Sequence, residues 1–380
     1  MNKSFLIMSP GPTTVPPEVL MEGARPIIHH RTPEFREYVD ECTKGLQYIF
    51  QTKYRVFNFV STGTGAMESA VANLINPGDK AIAVVGGKFG ERWSKILKSY
   101  KANVVEIKVE WSTVVSPEQI ETALKENPDT KVVYITLTDT SAGGVTPVKE
   151  IAKVVNKTDA LLVVDAVSGL LAEEYKMDEW GVDVTVSSSQ KGVMLPPGLA
   201  FAAVNDKAFE ASKKIDSPKF YFDWKAYDKK FPNDTPYTAG VSLMYQLKKA
   251  LEMIKEETVE HIWYRHKVLA DATRAAVKAI GLELLNDHPN NVATAVISGS
   301  MDGQEVVKIM REKYGIIIAG GQEPYKGKIF RLGHLGYVTG KDVITMLGAL
   351  EMTLKDLGYD LEFGEAVAAA LPILREGEIW

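Results

Sequence analysis

Residues 161–192 have the sequence LLVVDAVSGLLAEEYKMDEWGVDVTVSSSQKG and contain two short β-rich runs, Leu161–Val167 and Asp183–Ser189. The first run is continuously apolar up to Asp165, which is typical of a strand that is buried on both faces of a parallel sheet. Asp165 lies near the end of the first run, and Lys191 lies two residues after the second. We therefore expect a buried sheet that presents a carboxylate and an amine at one edge.

The same pattern continues on both sides of this stretch. Between the β-rich runs lie stripes of helical period, for example Met67, Ala70, Val71 and Leu74. The runs are Tyr54–Ser61, Lys80–Val85, Asn103–Val109, Lys131–Thr138, Leu161–Val167, Asp183–Ser189 and Leu199–Val204. Strands that alternate with helices predict an α/β sheet that is mostly parallel. The last two runs lie too close together for a crossover helix, so we expect an antiparallel hairpin there.

The C-terminal part of the chain has a different organisation. Phe209–Tyr237 is aromatic and charged and predicts an irregular segment, and a single long helix is expected from about 242 to 280. A smaller mixture follows, with helices expected near 302–313 and 340–357. Its strands are expected near Leu282–Leu285, Ala293–Ser298, Gly315–Ile318 and Lys328–Leu332. The pattern predicts two unequal α/β domains.

Composition excludes several classes of function. The net charge of −5 gives no reason to expect nucleic acid or an anionic membrane as a partner. Cys42 is the single cysteine, so neither an intrachain disulfide nor a Cys-based zinc site can form, and the six histidines lack metal-ligand spacing. No metal is expected. The sequence has no apolar run of membrane-spanning length and no signal-peptide core, so we expect a cytoplasmic protein.

The residues that follow each strand are the candidates for chemistry, because ligands of open α/β sheets bind at the carboxyl ends of the strands. A glycine-containing turn, with Gly63, Thr64, Gly65 and Ala66, opens a helix after the first strand and could bind an anion. A plain strand–helix turn explains it equally well. Phe89 follows the second strand and could instead be a core aromatic, and Ser141 lies in a polar turn after the fourth.

Asp165 and Lys191 are more informative when they are taken with these residues. Alone, the aspartate could lie in a surface turn and the lysine could be solvated. Pyridoxal phosphate needs a phosphate cradle, a lysine for a Schiff base, a carboxylate for the pyridine nitrogen and a flat side chain against the ring. The combined set therefore predicts a pyridoxal phosphate site.

Five motifs in this order carry a family resemblance. They are MSPGPT (8–13), HRTPEF (30–35), VDAVS (164–168), SQKG (189–192) and RLGHLG (331–336). From about residue 8 to 350 the chain resembles class V aminotransferases of the alanine–glyoxylate and serine–pyruvate group. The resemblance implies the PLP-dependent transferase fold type I, an α/β fold with a mostly parallel seven-stranded sheet, helices on both faces and a smaller α+β C-terminal domain. It implies a large domain over 15–260 and a small one over 1–14 and 261–380.

The resemblance also implies roles for individual residues. Lys191 would form the Schiff base and move the substrate proton, and Asp165 would pair with the pyridine nitrogen. Phe89 would stack on the ring and Ser141 would contact its hydroxyl side. The phosphate would be held by Gly63, Thr64, Gly65, Ala66 and Gln190 of one subunit and by the segment around Thr238 of the other, which implies a homodimer. Arg331 would bind the substrate carboxylate, Gly11 would approach the substrate, and His29, His30 and His334 would be structural.

The implied reaction moves an amino group from serine or alanine, with aspartate as a further candidate, to glyoxylate or pyruvate by a ping-pong mechanism. Arg25, Arg31 and Arg36 could supply a second carboxylate site. Two same-fold alternatives are a phosphonate-specific aminotransferase and a lyase such as a cysteine desulfurase, although Cys42 is better explained as a buried helix residue. A nucleotide-binding oxidoreductase lacks an acidic residue after the second strand, and a non-catalytic binding protein leaves Asp165 and Lys191 unexplained. The tail after about residue 359 could pack on the small domain or across a dimer.

Overall fold

A computed structural model describes residues 5–380 of the chain. Its strands are β1 (Leu6–Ile7), β2 (Arg55–Val60), β3 (Lys80–Val85), β4 (Asn103–Lys108), β5 (Val132–Thr136), β6 (Thr138–Asp139), β7 (Gly144–Val145), β8 (Leu161–Asp165), β9 (Val184–Ser188), β10 (Leu199–Val204), β11 (Glu283–Leu284), β12 (Ala293–Ile297), β13 (Ile316–Ile317), β14 (Ala319–Gly320) and β15 (Ile329–Gly333). Its α-helices are α1 (Pro17–Glu22), α2 (Pro33–Phe50), α3 (Gly63–Leu74), α4 (Lys88–Ser99), α5 (Pro117–Glu126), α6 (Val148–Val155), α7 (Met177–Trp180), α8 (Asp206–Ser212), α9 (Trp224–Asp228), α10 (Val241–Glu257), α11 (Val259–Ala279), α12 (Gly303–Glu312), α13 (Gly340–Asp356) and α14 (Glu365–Glu376). Within this part of the chain, no helix has both the length and the apolar character needed to cross a bilayer.

The largest sheet has seven strands in the order β2-β10-β9-β8-β5-β3-β4. The five strands from β9 to β4 in that order pair in parallel, whereas β10 is antiparallel to both of its neighbours. The predicted seven-stranded, mostly parallel sheet and the hairpin of its last two strands are therefore confirmed. Asp165, the last residue of β8, is in register with Thr136 of β5 and Val186 of β9. It therefore lies at the carboxyl edge of the sheet.

Helices cover both faces of this sheet, as its nearly continuous apolar strands require. One face buries residues of α2, α5, α6 and α10, including Phe35, Ile120 and Leu247. The other face buries residues of α3, α4, α8 and α9, including Met67 and Trp93. The sheet is thus packed between two apolar cores, and this close packing fixes the relative positions of the side chains at the carboxyl ends of its strands.

A second core forms around the antiparallel sheet β11-β12-β15-β14. Helices α11 to α14 pack on it, and Met8 from the N-terminal segment is buried in the same core. Strand β1 pairs in parallel with β13, which ties the N-terminal segment to the C-terminal part of the chain. The predicted division into 15–260 and 1–14 plus 261–380 stays a prediction, and residues 1–4 of it lie outside the described residues.

Three local predictions needed correction. The single helix expected over 242–280 is two helices, because Thr258 between them has a φ of 72° and its side chain caps α11 by accepting from the His261 N–H at 3.3 Å. The helical periodicity of the sequence continues across Thr258, so the sequence pattern did not reveal this one-residue break. The segment expected to be irregular contains α9, and the strand expected over Gly315–Ile318 is confined to β13, outside the four-stranded sheet.

The C-terminal tail forms α14, which packs against α11 and α13. Ala366, Ala370 and Leu374 on its inner side are buried in the second core. Buried Glu351 of α13 caps the new helix, because its carboxylate accepts from the N–H of Gly364 at 2.8 Å and of Ala366 at 2.7 Å. Of the two sites left open for the tail, the structure shows packing on the small core.

We predict that Leu374→Ala lowers the free energy of unfolding by about 2–5 kcal/mol, because it leaves a cavity in a fully packed core. Leu371→Ala is the matched control: this leucine of the same helix is 39% exposed, and its truncation should change stability by about 0.5 kcal/mol or less. Urea unfolding of both variants measures the difference. Equal losses would contradict the packing of α14 described here.

Candidate functional site

Lys191 lies in the loop that connects β9 to β10. The loop is held by hydrogen bonds from the Met194 N–H to the Lys191 carbonyl at 3.0 Å and from the Leu195 N–H to the Ser189 carbonyl at 3.1 Å. The lysine side chain is buried, and its Nζ donates to the Pro10 carbonyl at 2.8 Å. Burial lowers the pKa of Lys191 to about 8; the Asp165 charge opposes this shift, and Arg331 adds to it. The Lys191 amine therefore loses its proton more readily than the amine of an ordinary exposed lysine.

The N-terminal segment packs directly on the lysine loop. Gly11 has a φ of 132°, and a Cβ at this position would lie 2.3 Å from Lys191 Nζ, so only glycine allows this approach. Thr13 donates its hydroxyl to the Lys191 carbonyl at 3.0 Å and its N–H to the Gln190 carbonyl at 3.1 Å. Gly11, expected at the site, therefore lies against the lysine.

Asp165 is buried at the end of β8 and is not a surface-turn residue. Its Oδ1 accepts from the Val167 N–H at 2.8 Å, and its other oxygen accepts no hydrogen bond from residues 5–380. Burial raises the pKa of Asp165 to about 6, and the Asp139 charge adds to the increase. A cationic N–H donor placed against the free oxygen would restore the ionised carboxylate.

Arg331 extends from the second sheet into the same region. It is buried, and it donates to the Thr140 carbonyl at 2.8 Å and to the Gly320 carbonyl from Nε at 3.0 Å and Nη2 at 2.7 Å. Three of the five N–H bonds of the guanidinium are thus used, and two remain. Burial lowers the pKa of Arg331 to about 10, the Asp139 charge opposes this shift, and no carboxylate of the described chain forms an ion pair with Arg331. Such a buried cation without a counterion suits an incoming carboxylate.

The glycine turn begins α3 and faces the end of β9. The N–H groups of Gly65 and Ala66 donate to the Thr62 carbonyl, whereas those of Gly63 and Thr64 have no partner within residues 5–380. A Cβ on Gly63 would lie 2.9 Å from Val167 and 3.3 Å from Ser188 Oγ, which places this turn beside the strand end. Unpaired N–H groups at a helix N-terminus are suited to an anion.

Several buried polar atoms at this edge of the sheet have no hydrogen-bond partner among the described residues. They are Thr136 Oγ1, Thr138 Oγ1, Ser187 Oγ, Ser188 Oγ and Gln190 Oε1. Burying a polar atom without a partner is costly, and one of these atoms, Ser188 Oγ, lies beside Gly63 of the glycine turn, where a polar ligand could pair with it.

Phe89 and Ser141 lie on adjacent turns. Phe89 is in the first turn of α4 and is half-buried, with the Arg92 guanidinium 5.0 Å from the centre of its ring. The alternative role as core aromatic belongs instead to Trp93, which is fully buried. Ser141 Oγ donates to Asp139 and accepts from the Lys88 N–H at 2.9 Å. Both turns are bound by the same carboxylate, that of Asp139.

Thr238 is exposed and lies in the segment that precedes α10. It lines a depression with Asn58 and Val60 of β2, the strand at one edge of the large sheet. Among residues 5–380 its side chain makes no hydrogen bond to Lys191, Asp165 or Arg331.

Sequence reasoning missed three contributors to the site: the Pro10 carbonyl, Thr13 and Asp139. The first two contact Lys191 across about 180 positions of sequence, and local pattern carries no signal for such a contact. Asp139 could have been found. Asp139 follows β5, and Phe89 follows β3, the parallel neighbour of β5. Because parallel neighbours end at the same edge of a sheet, the two residues could have been expected to lie close together.

Comparisons with known proteins agree with this geometry. The family model described as "Aminotransferase class-V" matches residues 8–334. The chain is 39% identical to an uncharacterised aminotransferase of Methanocaldococcus jannaschii, over 98% of both chains. It is 35% identical to the serine–glyoxylate aminotransferase of Arabidopsis thaliana, over 96% of this chain and 94% of that one. The crystal structure of the ureidoglycine–glyoxylate aminotransferase of Bacillus subtilis superposes with a TM-score of 0.94 at 31% identity and covers 99% of both chains.

The family match spans 327 of the 380 residues and contains the whole cluster from Gly11 to Arg331. The expected fold, that of the PLP-dependent transferases of fold type I, is confirmed by the same structural neighbour. Since both the matched stretch and the superposition extend over nearly the full chain, the protein belongs to the class V aminotransferases, whose cofactor is pyridoxal phosphate.

Proposed function

We propose that this aminotransferase moves the amino group of a small amino acid to glyoxylate or pyruvate, with ping-pong kinetics and with Lys191 as the residue that carries the cofactor. Serine and alanine are the leading donors, and aspartate is a further candidate. The observation that carries the proposal is Arg331, a buried guanidinium with two unused N–H bonds and no carboxylate partner in residues 5–380. Amino acids and 2-oxo acids share the α-carboxylate that such a group binds.

The residues at the sheet edge fit pyridoxal phosphate. Asp165 has one free oxygen for the pyridine N–H, and the unpaired N–H groups of Gly63 and Thr64 suit the phosphate. The unpaired Ser188 hydroxyl at the end of the neighbouring strand can donate to the same ligand, whereas the unpaired Gln190 Oε1 can only accept. When bound, this cofactor supplies an aldehyde that links to an amine and a ring that withdraws electrons from it. We infer that Phe89 lies against the ring and that Ser141 contacts its hydroxyl side.

Lys191 is suited to a second task, the movement of the proton on the substrate α-carbon. A general base works best when its pKa lies near the working pH, and burial brings the pKa of this amine to about 8. The Pro10 carbonyl holds Nζ by a single hydrogen bond, so the amine can leave it without breaking an ion pair. No histidine is needed for this step: His334 is buried, contacts Thr294 and the Asn291 carbonyl, and has a pKa lowered by burial to about 3.

The three arginines considered for a second carboxylate site already have ion-pair partners. Arg25 pairs with Glu22, and Arg31 and Arg36 both pair with Asp234, so none of these three arginines offers a free second carboxylate site. Arg92, by contrast, forms no ion pair within the described chain: its guanidinium lies over the Phe89 ring, and its charge acts on Asp165 and Lys191. This unpaired guanidinium beside the site keeps aspartate among the candidate donors.

The names of the relatives support glyoxylate as the acceptor. The Arabidopsis and Bacillus enzymes are both named for transfer to glyoxylate, although their named donors, serine and ureidoglycine, differ.

The proposal includes a homodimer in which Thr238 contacts the cofactor of the other subunit. Thr238 is exposed and lies beside the edge strand β2, which supports this role. A cytoplasmic location stays a prediction.

A cysteine desulfurase is not supported. Cys42 is buried inside α2, its thiol points to the Met244 carbonyl at 3.6 Å, and burial raises its pKa well above the usual value. A mobile catalytic thiolate needs the opposite environment. The phosphonate-specific aminotransferase stays an alternative that the choice of donor decides.

Uptake of pyridoxal phosphate by the cofactor-free protein should increase with pH around a midpoint near 8, because only the neutral Lys191 amine adds to an aldehyde. Stopped-flow absorbance in the visible range, measured between about pH 6 and 10, gives this profile. Lys191→Ala is the control and should give no such signal. A midpoint near the 10.5 of an ordinary lysine would contradict the buried amine.

The donor is identified by adding alanine, serine, aspartate and 2-aminoethylphosphonate separately to the loaded enzyme and following the loss of its visible absorbance. We expect alanine or serine to react fastest, and glyoxylate to restore the absorbance. A response to the phosphonate alone would replace the proposal with its alternative. No response to any donor would contradict transamination.

Arg331→Gln should lower kcat/KM for every carboxylate donor about 100-fold, because a charged partner of the α-carboxylate is lost. Arg311→Gln, an exposed arginine on α12, is the matched control and should leave kcat/KM unchanged. If the two variants behaved alike, Arg331 would not be the carboxylate group.

A further inference from the structure

Asp139 contacts two of the turns that line the site, although it was not among the predicted site residues. Its Oδ2 accepts from the N–H groups of Phe89 at 2.9 Å and Gly90 at 3.1 Å. Its Oδ1 accepts from the Ser141 N–H at 3.1 Å and from Ser141 Oγ at 2.5 Å. A carboxylate has about four acceptor positions, so these four bonds use its full capacity.

The two turns belong to different strand ends. Phe89 and Gly90 are in the first turn of α4, after β3, whereas Ser141 follows β5 and β6. Gly87, the N-cap residue of α4, provides no side-chain cap, so Asp139 satisfies two of the free N–H groups of this helix from outside. A Cβ on Gly87 would lie 2.3 Å from the Asp139 carboxyl carbon, and glycine is therefore needed for the approach.

The carboxylate also fixes the direction of the Ser141 hydroxyl. This hydroxyl donates its proton to Asp139 and accepts from the Lys88 N–H at 2.9 Å, which leaves it one lone pair. Ser141 is buried, so its two protein partners fix the orientation of its hydroxyl. Phe89 is constrained similarly: its backbone is bound by Asp139, and its ring contacts Arg92 one turn along α4.

We propose that Asp139 is a positioning residue that holds the Phe89 ring and the Ser141 hydroxyl in their binding positions before pyridoxal phosphate enters. The inference rests on the proposed function, because it takes Phe89 and Ser141 as groups that contact this cofactor. Turns that are already ordered raise the affinity of the protein for the cofactor, because their conformational entropy is lost during folding and not on binding. Asp139 acts through its two neighbours and does not itself contact the cofactor.

Three variants test this role. Asp139→Ala removes all four hydrogen bonds, whereas Asp139→Asn keeps the size and one acceptor oxygen but replaces the other with an NH₂ group that cannot accept. Asp342→Asn is the matched control, because this carboxylate accepts from an N–H at 2.8 Å and a hydroxyl at 2.9 Å, both of Thr339, on a helix of the small core. The thermal midpoint of each cofactor-free variant reports folding separately.

The readouts are the dissociation constant of pyridoxal phosphate, the visible circular dichroism of the bound cofactor and the hydrogen exchange of the Phe89 and Gly90 amides in the cofactor-free protein. We expect Asp139→Asn and Asp139→Ala to weaken binding about 10- to 100-fold, to change the dichroism and to speed exchange. The Asp342→Asn control should bind as the wild type does.

A purely structural helix cap predicts a different outcome. In that case the Asp139 variants would lower the thermal midpoint as the Asp342 variant does, with unchanged cofactor affinity and dichroism, and the inference would be overturned. If the wild type and the Asp342 variant themselves bound no pyridoxal phosphate, the proposed function would fail instead. The two failures are thus distinguishable.

Discussion

Three ionisable side chains are buried at one edge of the large sheet without an ion pair between them, and the site depends on this constraint. Lys191, Asp165 and Arg331 are held by backbone groups: a carbonyl, an N–H and two further carbonyls, respectively. Burial of a charge without a counterion costs several kcal/mol per group. It therefore raises the pKa of Asp165 and lowers the pKa values of Lys191 and Arg331, which in each case favours the neutral form. An anionic ligand beside Arg331 and a cationic N–H donor beside Asp165 would relieve this cost.

The N-terminal segment connects the two cores at the lysine. Met8 is buried in the small core and its carbonyl accepts from the Gly333 N–H at 2.8 Å, two residues after Arg331. Pro10 and Thr13, a few residues later, bond to Lys191. Six residues of chain therefore connect the strand of Arg331 with the loop of Lys191. This short segment therefore constrains the distance between Arg331 and Lys191.

The seven strands and their hairpin were predictable from sequence because each strand is a short β-rich run, and most of the runs are separated by segments of helical period. Strand ends also revealed Asp165, Lys191 and the glycine turn, since neighbours in a parallel sheet end at the same edge. Three features were not predictable. The break at Thr258 lies within uninterrupted helical periodicity, the contacts of Pro10 and Thr13 join distant parts of the sequence, and the partner of the α14 cap, Glu351, is indistinguishable from a surface glutamate.

The most direct test of the account is to identify the lysine that carries the cofactor. Borohydride reduction of the loaded protein makes the link to the lysine permanent, and mass spectrometry of its peptides locates it. We predict one labelled peptide, with the pyridoxyl group on Lys191, because among residues 5–380 this is the lysine buried at the sheet edge, where the Asp165 charge acts on it. A label on another lysine, or none, would contradict the account.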